Sequence, residues 1–137
     1  MQPHERISTA IAATNGDGRT ALVPFITAGY PNPKTFIETL QAVSSVGEVV
    51  ELGVPFSDPM ADGMTIQRSS FEAIENGVTL SWIFDQLASA GSSVDAPLVM
   101  MSYLNPLLAY GYDKLASLSL IHISEPTRPM KESRIPS

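Results

Sequence analysis

The 137-residue chain contains no cysteine, and its 8 lysine and arginine residues are outnumbered by 14 aspartate and glutamate residues. The absence of cysteine excludes a disulfide framework and a thiolate zinc site, and it fits a reducing compartment. A net charge of −6 without a cluster of basic residues excludes the positive surface typical of nucleic-acid binders. A small molecule or another protein is therefore the expected partner.

Long apolar runs are also absent. No window approaches the about 18 consecutive apolar residues of a membrane-spanning helix, and the segment MQPHERISTAIAATNGDG lacks the apolar centre of a signal peptide. With 44% hydrophobic and 16% charged residues, the composition is that of an ordinary globular domain. We expect one domain in a soluble, cytoplasmic protein.

Strand-like and helix-like segments alternate along the chain. Three apolar runs have strand length, namely TALVPFIT (20–27), EVVELGV (48–54) and APLVMMSY (96–103). Helical patterns separate them and end at Gly47, Gly77 and Gly91. Apolar strands separated by helices predict a parallel sheet covered by helices. Periodicity does not distinguish a doubly wound sheet from a (β/α) barrel, but both folds bind ligands at the carboxyl ends of their strands.

Several residues indicate where strands and helices begin or end. Pro24 inside the first run indicates a first strand residue, a bulge or an edge strand. Asn32 is a predicted cap for a helix whose apolar residues recur at helical spacing as far as Val46. Thr79 is the predicted cap of a later helix. A further helical segment begins in NPLLAYGYDKLASL, at residues 105–118.

The second strand contains a carboxylate. VVELGVPFSDPMADG, residues 49–63, places Glu51 in an apolar run and follows it with Asp58 and Asp62 in a loop. An ionised carboxylate in an apolar strand is costly unless it is paired or solvated, so burial favours its protonated form and proton exchange near neutral pH. Glu51 is therefore a candidate general acid and base. Asp62 could face it across a pocket and bind a substrate N–H or hydroxyl group.

A purely structural interpretation accounts for the same residues. Glu51 could bond to a polar group of a neighbouring strand, while Asp58 and Asp62 make Asx-turns in a loop rich in proline and glycine. Spacing alone leaves both interpretations open. Neither His4 nor His122 has a partner at metal-ligand spacing, so no metal site is expected.

The segment ELGVPFSDPMADGMTIQ, residues 51–67, strongly resembles the signature of the tryptophan synthase alpha chain family, E-L-G-x-P-F-S-D-P-x-A-D-G-P-x-I-Q. Met64 replaces the usual proline of that signature. VPFITAGYP (23–31) and MSYLNPLLAYG (101–111) are similar to the first and third strands of the family with their exits. The resemblance runs from about residue 5 to about residue 118.

This resemblance implies a partial (β/α)₈ TIM barrel, roughly its first three β/α units, in residues 1–118. It implies a carbon–carbon lyase of tryptophan biosynthesis, which cleaves indole-3-glycerol phosphate to indole and glyceraldehyde 3-phosphate by a retro-aldol reaction. No cofactor is implied in this chain, because the pyridoxal phosphate of the family belongs to the beta chain. The beta chain is the implied partner, in an alpha2-beta2 heterotetramer.

The resemblance also implies roles for five residues. Glu51 would be the general acid and base, protonating the indole ring carbon and taking the proton of the glycerol hydroxyl. Asp62 would hold the indole N–H and stabilise the positive charge that develops on the ring. Phe25 and Tyr103 would lie near the indole ring, although aromatics at such positions usually pack in the core. Asp58 would lie in the loop that meets the beta chain.

The chain is short for this fold. A TIM barrel takes about 250 residues and commonly holds phosphate in the loops after strands 7 and 8. We therefore expect a truncated chain, which is either part of the lyase or a non-catalytic fragment that retains only surface for the beta chain. Residues 119–137 contain three prolines and no sustained periodicity. This irregular tail is expected to be disordered or a sequence artefact, since LIHISEPTRP resembles a translated sequencing adapter; a frameshift and a genuine short variant are the alternatives.

Overall fold

The computed structural model describes residues 2–119, so the predicted tail and His122 lie outside the described residues. The elements of the described part, in chain order, are α1 (Pro3–Gly16), β1 (Phe25–Thr27), α2 (Phe36–Ser44), β2 (Val50–Gly53), α3 (Met64–Glu75), α4 (Leu80–Ala90), β3 (Leu98–Met101), α5 (Leu104–Tyr110) and α6 (Tyr112–Ser119). Among these helices, none has the length and apolar character needed to cross a membrane.

The three strands form one parallel sheet in the order β1-β2-β3. Phe25 of β1 lies opposite Glu51 of β2, and Glu51 lies opposite Val99 of β3. Consecutive strands are connected through helices, as expected for β/α units. The prediction of a parallel α/β sheet from the apolar runs is confirmed.

The helices cover one face of this sheet. Val50 and Leu52 of β2 are fully buried in a core that includes Phe36, Leu40 and Ile83 from α2 and α4. Burying a side chain of this size contributes about 1.5–3 kcal/mol. Because successive strand residues point to opposite faces, Glu51 lies on the other face. We call that side, with Phe25, Glu51, Gly53 and Val99, the open face of the sheet.

Strand β1 is shorter than its apolar run suggests. The sequence predicted a strand over residues 20–27, but only Phe25–Thr27 pairs with β2. Pro24 precedes the strand and has no N–H to donate, although its carbonyl accepts the Glu51 N–H at 2.9 Å. Pro24 therefore lies immediately before the strand rather than within it.

Helix boundaries follow the predicted caps, with one correction. Asn32 accepts the Lys34 N–H at 3.0 Å and caps a single 3₁₀ turn, Pro33–Thr35, that leads into α2. Thr79 caps α4 through the Trp82 N–H at 3.1 Å. The prediction that the apolar face of α2 extends to Val46 is wrong: the helix ends at Ser44, and Val46 is 65% exposed.

The end of α2 has a steric cause. The Gly47 N–H bonds to the carbonyl of Val43 at 3.0 Å, which turns the chain. A Cβ atom on Gly47 would lie 2.7 Å from the ring of Pro24, so only glycine fits this close approach. The later helical segment is interrupted for a different reason, since Gly111 between α5 and α6 adopts a φ of 102°, in the region that favours glycine.

Candidate active site

Glu51 lies in the middle of β2 with its side chain on the open face. It is partly buried, and no hydrogen bond or ion pair engages its carboxylate within residues 2–119. A structural role would require a polar partner on a neighbouring strand, but Phe25 and Val99 occupy the opposing positions. The geometry therefore favours a carboxylate available for proton transfer.

Phe25 lies beside Glu51 on the open face. Its ring covers Gly53, where an added Cβ atom would lie only 2.5 Å from the ring Cζ atom. Gly53 thus leaves the space that the Phe25 ring occupies. The predicted contact of Phe25 with a substrate ring stays a prediction, but the structure places its ring next to the candidate acid and base.

Asp62 is held in the loop between β2 and α3 by three hydrogen bonds. Its N–H donates to the Pro59 carbonyl at 3.1 Å, and its own carbonyl accepts from Gln67 Nε2 at 2.8 Å. Its carboxylate oxygen Oδ2 accepts from the Tyr103 hydroxyl at 3.0 Å. The side chain therefore bonds to a residue beyond β3 rather than to its own turn, which disfavours the Asx-turn interpretation for this residue.

Tyr103 follows β3 and joins two loops. Its hydroxyl donates to Asp62 and accepts the Ala61 N–H at 3.1 Å. Its ring stacks on Phe56, with centroids 5.0 Å apart and an interplanar angle of 28°. Burial raises the pKa of the Tyr103 hydroxyl, and the hydrogen bond and charge of Asp62 and the charge of Asp58 raise it further, against a lowering effect of the Ala61 N–H.

Asp58 lies exposed in the same loop, and its carbonyl accepts the Met60 N–H at 2.9 Å. Met60 and Met64, on either side of Asp62, are 82% and 81% exposed. Methionine is a flexible apolar side chain that is common at binding surfaces. The structure thus brings Asp62 and Tyr103 together and leaves Asp58 facing outward.

Sequence reasoning missed three residues of this arrangement. Gly53 carried a signal, because a glycine inside a strand indicates a close approach. Phe56 stacks on Tyr103, and Gln67 holds the Asp62 carbonyl. Both residues lie in the segment 51–67, but no local sequence pattern there indicates which residues they contact.

Residues 2–119 contain no group of three or more histidine, cysteine, aspartate or glutamate side chains that could hold a metal ion. A cleft of about 350 Å³ lies at the amino end of β3, with Arg6, Asp95 and Pro97 in its lining. Because Asp62 and Tyr103 follow the carboxyl ends of β2 and β3, this cleft lies at the other end of the sheet.

Comparison with known proteins gives consistent matches. The family model described as tryptophan synthase alpha chain matches residues 11–122. The tryptophan synthase alpha chain of Nitratidesulfovibrio vulgaris (strain DP4) is 44% identical over 113 residues, which cover 82% of this chain and 44% of the relative. That of Desulfovibrio desulfuricans is 50% identical over 107 residues, covering 77% of this chain and 42% of the relative.

Solved structures agree with these matches. Tryptophan synthase subunit alpha from Legionella pneumophila superposes with a TM-score of 0.72 at 35% identity, covering 83% of this chain and 44% of that one. A tryptophan synthase structure from M. tuberculosis gives a TM-score of 0.75 at 31% identity, covering 83% and 46%. The chain spans less than half the length of the curated relatives it matches. Its three parallel strands and their helices are part of a TIM-barrel fold, and the chain belongs to the tryptophan synthase alpha chain family.

Proposed function

We propose that this chain carries the acid–base carboxylates of an alpha-chain lyase site, which cleaves indole-3-glycerol phosphate to indole and glyceraldehyde 3-phosphate. The observation that supports it is the Glu51 carboxylate, which lies on the open face beside Phe25 and has no hydrogen-bond partner in residues 2–119. The family membership of residues 11–122 supplies the reaction.

The proposed reaction uses Glu51 twice. Its protonated carboxyl donates a proton to carbon 3 of the indole ring, and the ring nitrogen gains positive charge. The resulting carboxylate then takes the proton of the adjacent glycerol hydroxyl. The bond between carbon 3 and the glycerol carbon breaks, its electrons return to the ring, and the glycerol carbon becomes an aldehyde. Glu51 is protonated again at the end, so the cycle needs no external proton.

Asp62 has a separate role in this proposal. Its carboxylate accepts the indole N–H and stabilises the positive charge that develops on the nitrogen. Phe25 and Tyr103 would contact the flat faces of the ring. These steps are proton transfers between side chains and substrate, so they require no cofactor in this chain, and the pyridoxal phosphate of the family belongs to the partner beta chain.

The domain assignment is part of the same proposal. We assign residues 1–118 to the N-terminal part of a TIM-barrel domain and residues 119–137 to a segment outside it. Phosphate-binding loops of such barrels commonly follow strands 7 and 8, whereas the described residues contain three strands. The phosphate of the substrate is therefore not assigned to any of the described residues.

Indole release from indole-3-glycerol phosphate by the purified chain tests the lyase. Glu51→Gln should lower the rate about 10²-fold or more, the lower range of general acid–base catalysis. Glu75→Gln, at the exposed end of α3, is the matched control and should keep the native rate. Equal rates for the native chain and Glu51→Gln would exclude the proposed role of Glu51.

A second function is favoured by the exposed loop. Asp58 lies with Met60 and Met64 on a surface that could contact a beta chain without any turnover. Calorimetric titration of the native chain and Asp58→Asn with a tryptophan synthase beta chain tests this function. Saturable binding that Asp58→Asn weakens, together with no indole release, would identify a non-catalytic binding fragment.

A further inference from the structure

We propose that Tyr103 is a positioning residue, whose hydroxyl fixes the loop of residues 54–63 so that Asp62 presents its other oxygen, Oδ1, to a ligand N–H. This inference rests on the proposed function of Asp62 as the group that binds the indole nitrogen. It differs from the expected role of Tyr103 as a wall of the pocket, because it assigns the hydroxyl to the protein rather than to the substrate.

The first argument is the hydrogen-bonding capacity of the hydroxyl. A phenol has one proton to donate, and Tyr103 directs it to Asp62 Oδ2 at 3.0 Å. The same oxygen accepts the Ala61 N–H at 3.1 Å. No proton of Tyr103 remains for a substrate, whereas Oδ1 of Asp62 accepts no hydrogen bond from residues 2–119.

The second argument is where Tyr103 contacts the loop. Its ring stacks on Phe56, near the start of the loop, and its hydroxyl bonds to Ala61 and Asp62, near the end. One side chain from the segment after β3 therefore connects both ends of the loop after β2. We call this set of contacts the Tyr103 clamp. A side chain held at both ring and hydroxyl fixes the direction of the carboxylate that it contacts.

The third argument is the protonation of the hydroxyl. Burial raises the pKa of Tyr103, and the hydrogen bond and charge of Asp62 raise it further, despite the opposing Ala61 N–H. The hydroxyl therefore keeps its proton throughout the physiological pH range. It remains a donor to Asp62 throughout that range.

The test compares two ligands on the full 137-residue chain. Indole carries the N–H, and benzofuran replaces it with an oxygen that cannot donate. Tyr103→Phe keeps the ring that stacks on Phe56 and removes the hydroxyl. It should weaken indole binding about tenfold, the effect of one hydrogen bond to a charged group, and leave benzofuran binding unchanged. A merely structural role of Tyr103 would weaken both ligands equally.

Tyr110→Phe is the matched control. Tyr110 lies on α5, and its ring centroid is 5.1 Å from that of Phe84 on α4. This variant should bind both ligands as the native chain does. Equal weakening of indole and benzofuran in Tyr103→Phe, with Tyr110→Phe unaffected, would overturn the positioning role.

Amide hydrogen exchange separates a failure of the clamp from a failure of the proposed function. The Ala61 amide should exchange about tenfold faster in Tyr103→Phe, since it loses its acceptor. If the native chain binds indole and benzofuran equally, Asp62 does not have its proposed role of binding the indole N–H. The exchange rate of the Ala61 amide then tests the Tyr103 clamp by itself. Unchanged exchange in Tyr103→Phe overturns the clamp whatever the ligands do.

A second variant covers the case in which Tyr103→Phe does not fold. Asp62→Asn removes the charge and keeps the shape of the side chain, so it should lower the pKa of Tyr103 in a spectrophotometric titration. Asp58→Asn removes a charge with a smaller effect on the Tyr103 pKa and should lower that pKa less. An unchanged Tyr103 pKa in Asp62→Asn would overturn the clamp.

Discussion

The hydroxyl of Tyr103 and the carboxylate of Asp62 lie 3.0 Å apart although 41 positions separate the two residues in the chain. The contact joins the loop after β2 to the segment after β3 at the carboxyl end of the sheet. Ligand-binding groups of parallel α/β folds gather at that end. The contact therefore belongs to the part of the molecule where the family chemistry is proposed to occur.

The Tyr103 contact predicts a loss of stability at alkaline pH. Its pKa is raised in the folded chain, chiefly by burial, so the folded state holds the proton more tightly than the unfolded state. This stabilisation is complete below the ordinary tyrosine pKa of about 10 and is lost as the pH rises through the folded-state pKa. The free energy of unfolding in urea should fall above about pH 10. This decrease of the unfolding free energy with pH should be smaller in Tyr103→Phe and should be retained in Tyr110→Phe.

The hydrogen bond of Glu48 predicts a loss of stability at acidic pH. Its carboxylate accepts the Leu22 N–H at 2.6 Å, and this hydrogen bond, with smaller effects of Thr14 and Arg19, lowers the pKa of Glu48. The associated stabilisation is present above the ordinary glutamate pKa of about 4.3 and is lost as the pH falls through the lowered value. Urea unfolding from pH 7 to pH 3 should depend less on pH in Glu48→Gln.

Glu38→Gln is the control for that measurement, because Glu38 is exposed on α2. Its unfolding should follow the native pH dependence. If Glu48→Gln and Glu38→Gln change the acidic slope by the same amount, the hydrogen bond from Leu22 is not the cause.

Gly53→Ala should disturb the open face. Its Cβ atom would meet the Phe25 ring at 2.5 Å and the Ile26 carbonyl at 3.4 Å, so the ring must move. We expect a destabilisation of about 1–3 kcal/mol, as for other overpacked sites. Phe25→Leu in the same chain should recover part of it. Gly16→Ala, at the end of α1, is the control: nothing lies within 4 Å of an added Cβ atom, so this change should not destabilise the chain.

Thr27 and Ser69 form a buried pair that connects β1 to α3. Their hydroxyls are 2.7 Å apart, and Ser69 also donates to the Ile66 carbonyl, so the proton between the pair comes from Thr27. Ser69→Ala would leave the Thr27 hydroxyl buried without its acceptor, at a cost of about 1–3 kcal/mol. The double variant Thr27→Val, Ser69→Ala should be less destabilised than the sum of the two single variants. Strict additivity in urea unfolding would contradict this coupling.

Much of the fold follows from local sequence patterns. The apolar runs of β2 and β3 predicted strands within a parallel sheet, and Asn32 and Thr79 predicted caps that the structure confirms. Such features depend on neighbouring residues, so the sequence displays them. The length of β1 was not predictable in this way, because Pro24 had three possible positions and the hydrogen bonds to β2 decide among them.

The candidate site likewise contains one feature that the sequence shows and others that depend on the tertiary structure. The unusual position of Glu51 was visible as a carboxylate within an apolar strand. The bond between Asp62 and Tyr103 was not, since it depends on how two loops from different β/α units approach each other. The Phe25 ring over Gly53 likewise depends on the register between β1 and β2. The catalytic and binding roles of these residues stay predictions that the experiments above address.

The strand order β1-β2-β3 has a consequence for how the chain acquires its structure. Each strand after β1 pairs with the one synthesised just before it, as Glu51 of β2 does with Phe25 and Val99 of β3 does with Glu51. Within the described residues, the first pairing of each strand involves the next or the preceding strand in the chain. The sheet can therefore grow in the direction of translation, with each new β/α unit added to the edge left by the previous one.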